Sequence, residues 1–298
     1  MRRKLGIIGN TTKPEVTKFI PGLVKWLSDR SISFVIADDL AVLSRVSNCK
    51  TLPPASIAGN CEFVLSFGGD GTFLRTAQLI APLEIPIIGV NLGRFGYLAE
   101  VVIEQLYARI EDLLAGEYRV QTRSMLEVST GSPDDRAVYY GLNDIVIDKG
   151  YFPRIVRLET SIDGSYLNTF HADGLIVSTP AGSTGYSLSV GGPIIEPDVE
   201  VMIISPVNPH MLANRPLVVD GNRKIEIITF SELGELQLIV DGQVAQKLES
   251  SSKVTIQKAD FYTKVVLFEG YSFYALLRNK LHWRDQFDPE SCAIGDSE

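Results

Sequence analysis

The sequence predicts an α/β domain followed by an all-β domain. The first is doubly wound and carries a GGDGT loop, the second is a β-sandwich, and a final helix returns to the first. Three observations predict this. Over residues 1–118, short β-branched runs alternate with stretches of helical spacing, the rhythm of a parallel sheet wound with helices. Over 119–270, short strands follow one another with tight turns and no helical pattern. Residues 272–283, SFYALLRNKLHW, then return to helical spacing, so 271–298 reads as a helix packed on the first domain plus an acidic tail.

Each element has its own signal. LGIIG (5–9) is an apolar run fit for a buried strand, and Val16, Phe19, Ile20, Leu23, Val24 and Leu27 then recur at helical spacing. Pro14 suits the first turn of that helix, whereas Pro21 falls inside it and is expected to kink it. FVIA, FVLSF and IPIIGV supply further strands, and Leu106, Ile110, Leu113 and Leu114 share one helical face. In the second half the strand runs are SMLEVS, AVYYGL, DIVID, IVRLETSI, SYLNTF, GLIVS, VMIIS, PLVV, KIEIITF, ELQLIV, KVTIQ and KVVLF. Asp-Gly pairs at Asp163, Asp220 and Asp241 mark hairpins between them. The closing DPESCAIGDSE reads as a solvated tail.

Bulk properties narrow the function classes. A net charge of -8, with Arg2, Arg3 and Lys4 as the longest basic cluster, argues against nucleic-acid binding. No apolar run approaches the ~20 residues that span a bilayer, and MRRKLGIIGN has too short an apolar stretch for a secretion signal. Cys49, Cys61 and Cys292 are odd in number, widely separated and without metal spacing, which favours a reducing compartment without disulfides. His171, His210 and His282 have no second His or Cys at ligand spacing, so no structural metal is expected. There is no GxSxG elbow, no GxxxxGK[ST] and no GxGxxG.

SFGGDGTFLR (66–75) follows the strand run CEFVL and places one carboxylate, Asp70, among three glycines. Successive amides in a glycine turn make an anion-binding concavity, so Gly68, Gly69 and Gly71 suit a polyphosphate, helped by a helix beginning near Thr72. An acid there repels phosphate by about 4 kcal/mol at 4 Å in a surface-like dielectric. Its presence makes sense if it accepts a proton from an attacking hydroxyl or holds a metal. The alternative is a helix cap in a tight strand-to-helix turn. Arg75 and Lys13, near strand ends, are candidate phosphate-holding cations.

HADGLIVSTPAGSTGYSLSVGGP (171–193) joins a strand to a turn rich in glycine and hydroxyls, suited to ribose and phosphate oxygens, or to a helix start capped by Ser183 or Thr184. In LNDIVID, Asn143 and Asp144 open a strand, where Asn143 can bond an adenine edge or a carboxamide and Asp144 a sugar hydroxyl, or both can simply cap a turn. Asp241, in IVDGQVAQ, reads as a hairpin residue.

Together GGDGTFLR, NLGRFGYL, LNDIVI, HADGLIVSTPAGSTGYSLSVGGPII and ISPVNPHMLANRPLVV resemble the ATP-NAD kinase family in order and spacing, covering most of residues 4–283. GGDGT alone is shared with diacylglycerol and sphingosine kinases; the five segments together are specific. The resemblance implies phosphorylation of the adenosine 2′-hydroxyl of NAD by ATP with Mg²⁺ or another divalent cation, and no permanently bound cofactor. It implies Asp70 as proton acceptor with Gly71 beside it; Gly68, Gly69, Gly71, Thr72 and Arg75 are expected around the ATP phosphates from the turn and its position at a strand end. For NAD it implies Asn143 and Asp144, where Asp144 replaces the family's longer Glu. His171, Asp173 and Ala181 join these, as do Thr184, Gly185, Tyr186, Ser187, Leu188 and Ser189 of TGYSLS. Arg154 and Gln243 match less specific binding positions, and Tyr97 stands where the family often has Phe. A cytoplasmic homodimer or homotetramer, with no membrane or nucleic-acid partner, is also implied. The rivals are a lipid or sugar kinase sharing GGDGT, and a non-catalytic dinucleotide sensor.

Overall fold

The computed structural model describes residues 3–93, 96–131, 135–150, 155–211, 213–231 and 236–283. Five strands form its parallel part: β1 (Lys4–Gly9), β2 (Ser33–Ala37), β3 (Thr51–Leu52), β4 (Phe63–Gly68) and β5 (Ile87–Asn91). They lie in the order β5-β4-β1-β2-β3 and all pair in parallel. β4 and β5 are buried along their whole length, because helices cover both faces of such a sheet.

The helices follow from the pattern. α1 (Pro14–Asp29) buries Val16, Ile20, Leu23, Val24 and Leu27. It runs unbroken through Pro21, which lies on the exposed face, where the carbonyl that it leaves unbonded can turn to water. α2 (Asp38–Leu43) follows β2, and α3 (Asp70–Ile80) follows β4. α3 begins at Asp70 and not near Thr72: the Thr72 and Phe73 N–H groups both return to the Gly69 carbonyl, at 2.9 and 3.1 Å. After the short β6 (Val101–Val102), α4 (Leu106–Ala115) buries Leu106, Ile110 and Leu113 and ends at Gly116 in the left-handed conformation.

The all-β part contributes to two sheets. β7 (Arg119–Thr130), β8 (Ala137–Gly141), β10 (Val156–Ile162), β11 (Ser165–Ala172), β15 (Ile225–Phe230) and β18 (Lys253–Leu267) extend the large sheet; β9 (Asp144–Asp148), β12 (Gly174–Ser178), β13 (Val201–Val207), β14 (Leu217–Asp220), β16 (Leu236–Val240) and β17 (Gln243–Leu248) form a second, six-stranded one. Leu126, Leu158, Ile227 and Ile256 of the large sheet and Ile147, Leu175, Met202 and Leu238 of the small one belong to one buried apolar cluster, the sandwich core. KVTIQ and KVVLF are one strand, β18, with an irregularity between Lys258 and Tyr262. Its first half pairs with β15 and its far end with β5, so one sheet runs through both parts of the molecule.

Two of the Asp-Gly pairs turn hairpins: Asp163–Gly164 between β10 and β11, and Asp241–Gly242 between β16 and β17, with positive φ at all four residues. Asp220–Gly221 does not. β14 pairs with β13 while β15 pairs with β10 and β18, so this turn crosses between sheets, held by an Asx bond from the Asn222 N–H to Asp220. The last helix, α6 (Phe273–Lys280), is capped by Ser272 and buries Leu277; its Lys280 ammonium stands 5.6 Å from the ring centroid of Tyr97, on the far side of β5 in sequence. No helix among the described residues is long and apolar enough to cross a membrane.

Candidate functional site

The strand order turns back at β1, because the chain adds β2 and β3 on one side and β4 and β5 on the other. Doubly wound sheets bind ligands in the crevice beyond the carboxyl ends of the strands at that point. A cavity of about 470 Å³ lies there, lined by Lys13, Asp39, Gly69, Gly71, Arg75 and Gln243 among others. The glycine turn forms one wall and the 9–13 loop after β1 the other. Lys13 Nζ stands 3.8 Å from where a Cβ on Gly69 would lie, which places a cation over the turn.

Asp70, the first residue of α3, faces the other way. Its Oδ2 accepts the Tyr97 N–H at 2.8 Å, and its Oδ1 accepts those of Leu98 at 3.0 Å and Ala99 at 3.3 Å. The carboxylate packs so closely on Gly96 that any Cβ there would overlap it. Three of the roughly four lone-pair directions of the carboxylate are therefore engaged. The Tyr97 ring reaches a second cavity of about 1000 Å³ between this loop and α6, and Tyr97 and Leu98 also border Ala181 and Thr184.

Asn143 and Asp144 sit at the start of β9 and are held by Asp241. The Asp241 carboxylate accepts the backbone N–H of Leu142, Asn143 and Asp144 at 2.9, 2.7 and 3.1 Å, and the Gln78 side-chain amide at 2.9 Å. Gln78 lies on α3, the helix that Asp70 begins, so one carboxylate joins the glycine-turn helix to the β9 strand end. Burial raises the Asp241 carboxyl above its usual range despite these bonds. Burial, and then the neighbouring Asp241, pushes the Asp144 carboxyl up to about 7. Asn143 Oδ1 is buried without a partner among the described residues. Gly182 packs on the Asn143 carbonyl with no room for a Cβ, and a Cβ on Gly185 would lie 3.6 Å from Asn143 Nδ2 and 3.7 Å from Asp144 Oδ2.

The remaining candidates divide. Asp173 pairs with Lys149 at 2.7 Å and with Asn208 at 3.2 Å. Tyr186 is exposed and feels the charges of Asp148, Asp173 and Asp144, which after burial raise its phenol. Ser187 is fully buried, 3.2 Å from Ser205 Oγ, and so packs the turn. Leu188 is half-buried and Ser189 exposed. His171 is exposed on β11, opposite Arg157. Gln243 lines the cavity with Lys13 and Arg75 rather than the Asn143 side. Neither Ser183 nor Thr184 is the helix cap: Gly185 precedes α5 (Tyr186–Ser189), while Ser183 Oγ donates to Pro180 O at 2.6 Å and accepts the Ile195 N–H at 3.0 Å. Arg154 lies outside the described residues. Asp241, Gln78, Lys149, Asp39 and the 10–12 loop were not singled out from sequence as site groups; only the Asp-Gly turn signal touches any of them.

This fold and crevice define a two-domain protein with an anion-binding turn at the switch point of an α/β sheet, facing the strand ends of a β-domain. Family models narrow the class. The ATP-NAD kinase N-terminal domain matches residues 5–118 and the ATP-NAD kinase C-terminal domain residues 142–268. The NAD kinase of Moorella thermoacetica is 39% identical over 279 residues, covering 94% of this chain and 89% of that protein. That of Geotalea daltonii is 39% identical over 288 residues, covering 95% and 100%. Among solved structures, yeast NADH kinase complexed with NADH superposes with a TM-score of 0.86 at 23% identity, over 96% of this chain and 89% of that one. An Archaeoglobus fulgidus NAD kinase in complex with ATP gives 0.73 at 25% identity, over 94% and 98%. The chain belongs to the ATP-NAD kinase family.

Proposed function

We propose that this chain is an NAD kinase that transfers the γ-phosphoryl group of ATP to the adenosine 2′-hydroxyl of NAD, giving NADP and ADP. Phosphorylation of NAD by ATP is the reaction of the family to which it belongs. The observation that carries the reading onto these residues is the position of α3. Its first turn lines the phosphate-type cavity with Gly71, Thr72 and Arg75, its Asp70 carboxylate turns to the Tyr97–Ala99 amides on the other side, and its Gln78 is tied through Asp241 to the Asn143–Asp144 strand end.

In the transfer, the 2′-oxygen attacks the γ-phosphorus, the bond from that phosphorus to the β,γ-bridging oxygen breaks, and ADP leaves. The hydroxyl proton passes to Asp70. The amides of Tyr97, Leu98 and Ala99 fix the carboxylate so that its remaining lone pair can be directed at one oxygen. Most of the acceleration comes from positioning and charge neutralisation, with the turn amides, Lys13 and Arg75 around the phosphates. Asn143 Oδ1, buried and unpartnered among the described residues, suits an amino group of the adenine edge, and Asp144 and Tyr186 suit sugar hydroxyls.

The divalent cation in this reading is carried on the ATP phosphates, the usual mode for Mg²⁺ in phosphoryl transfer. Mg²⁺ bound there would supply charge neutralisation for the group in transfer, beside the Lys13 and Arg75 cations. The reading includes a cytoplasmic assembly of two or four chains, as the family resemblance implies.

Incubating the purified protein with Mg-ATP and NAD, diacylglycerol or fructose 6-phosphate tests the reading. NADP as the product supports it. Phosphate on the lipid or sugar alone favours the rival kinases, and NAD binding without NADP favours the sensor.

A further inference from the structure

The cavity beside the glycine turn is longer than a phosphate cradle requires. Its phosphate end is built from Gly69, Gly71 and Arg75 at β4 and Lys13 after β1. It also reaches Asp39, two residues after β2, and Pro54, beyond β3. β1 separates β2 from β4, so at about 4.8 Å per strand the end of β2 lies roughly 10 Å from the glycine turn.

Asp39 is exposed at this far end. Its Oδ1 accepts the Leu40 N–H at 2.8 Å, and no side chain among the described residues pairs with the carboxylate. A carboxylate without a cation repels phosphate at close range, so it is ill suited to a cavity that holds phosphate throughout. It is well suited to a hydroxyl-bearing group joined to a polyphosphate lying two strands away. In dinucleotide-binding sheets of the doubly wound kind, an acid near the end of the second strand takes a ribose hydroxyl while a glycine turn takes phosphate; here the glycine turn follows β4 rather than β1, and Asp39 holds the place after β2. Ile8, Pro54 and Leu79 add apolar wall to the same cavity, which gives a base a surface to lie on.

We propose that the Asp39 carboxylate binds the ribose hydroxyls of the phosphate donor, making this cavity selective for a ribonucleoside triphosphate over a deoxynucleotide or inorganic polyphosphate. The assignment rests on ATP being the donor. It adds a specificity-determining residue outside the motifs.

The test compares ATP, 2′-deoxy-ATP and inorganic tripolyphosphate, each with Mg²⁺, by calorimetry without NAD, on the wild type and on Asp39→Ala. The wild type should bind ATP about 10- to 100-fold more tightly than 2′-deoxy-ATP, the range for a hydrogen bond to a charged group. In Asp39→Ala the two nucleotides should bind alike and tripolyphosphate should bind as well as or better than before, while steady-state NADP assays run alongside should give the wild-type KM for NAD. Asp39→Asn keeps an oxygen for the Leu40 N–H and should show a reduced preference, which separates lost charge from a disturbed turn. An ATP to 2′-deoxy-ATP ratio unchanged in Asp39→Ala overturns the proposal. So does weakened tripolyphosphate binding or a raised Mg²⁺ requirement, which would make Asp39 part of the metal or phosphate end. If NADP still forms in those cases, only the ribose assignment falls; absence of NADP formation or ATP binding in the wild type removes the reading it rests on.

Discussion

Asp241 accepts the backbone N–H of Asn143 at 2.7 Å, from 98 positions away in the chain. With the N–H groups of Leu142 and Asp144 and the Gln78 amide on the same carboxylate, a hairpin turn becomes the clamp between the α3 helix and the start of β9. Asp144, next to that clamp, shares its buried environment and carries a raised pKa as a consequence.

Replacing Asp241 with Asn takes one oxygen from this cluster and turns an amide donor toward backbone donors. Unsatisfied buried groups cost about 1–3 kcal/mol each, so Asp241→Asn should lower unfolding free energy by that order. It should also raise the KM for NAD several-fold and leave ATP binding nearly intact. Denaturant unfolding and separate titrations of the two substrates check both parts.

Gly182 and Gly71 should respond oppositely to a methyl group. A Cβ at Gly182 would overlap the Asn143 carbonyl oxygen, and Gly182→Ala should destabilise by about 1–3 kcal/mol as the turn is forced off that strand end. A Cβ at Gly71 meets nothing within 4 Å, so Gly71→Ala should keep its thermal midpoint but raise the KM for ATP, since the methyl projects by the phosphate cavity. Thermal melts and donor saturation curves distinguish the two.

Asp144 sets a pH dependence of stability. Its carboxyl rises from 3.8 to about 7 on folding, so the folded state holds the proton more tightly than the unfolded chain. The group is neutral in both states below about pH 4 and imposes no penalty there. As pH rises from about 4 to about 7 the unfolded chain ionises first, and this group lowers stability progressively, with the full loss present above about 7. Asp144→Asn should flatten that slope and raise stability at pH 8 relative to the parent. Urea unfolding at pH 5 and pH 8 for both proteins measures it.

Much of the α/β half is legible because its signals are local. The stripe from Val16 to Leu27 fixes the buried face of α1, and Gly68, Gly69 and Gly71 announce a turn within one motif. The start of α3 is two residues earlier than the glycine pattern suggests, because the Gly69 carbonyl already accepts the Thr72 and Phe73 N–H groups and so makes Asp70 the first helical residue. The role of Asp241 is illegible because its partners lie far off in sequence, and a hairpin Asp-Gly looks the same whether or not its carboxylate is used. Asp220–Gly221 shows the converse: identical turn chemistry, but the strands on its two sides join different sheets. KVTIQ and KVVLF read as two strands because the irregularity between Lys258 and Tyr262 breaks the alternation within β18. Asp39 falls outside every motif and matters only because the sheet order sets β2 beside β1.

Single-turnover transfer from ATP to saturating NAD by Asp70→Asn tests the central claim most directly, with NAD and ATP affinities measured in parallel. With Asp70 as the proton acceptor, the transfer rate should be about 10²- to 10⁴-fold lower with both substrates still bound and the far-ultraviolet spectrum unchanged. A transfer rate within a few-fold of the parent would contradict that role, and would leave Asp70 only the task of tethering the amides of Tyr97, Leu98 and Ala99.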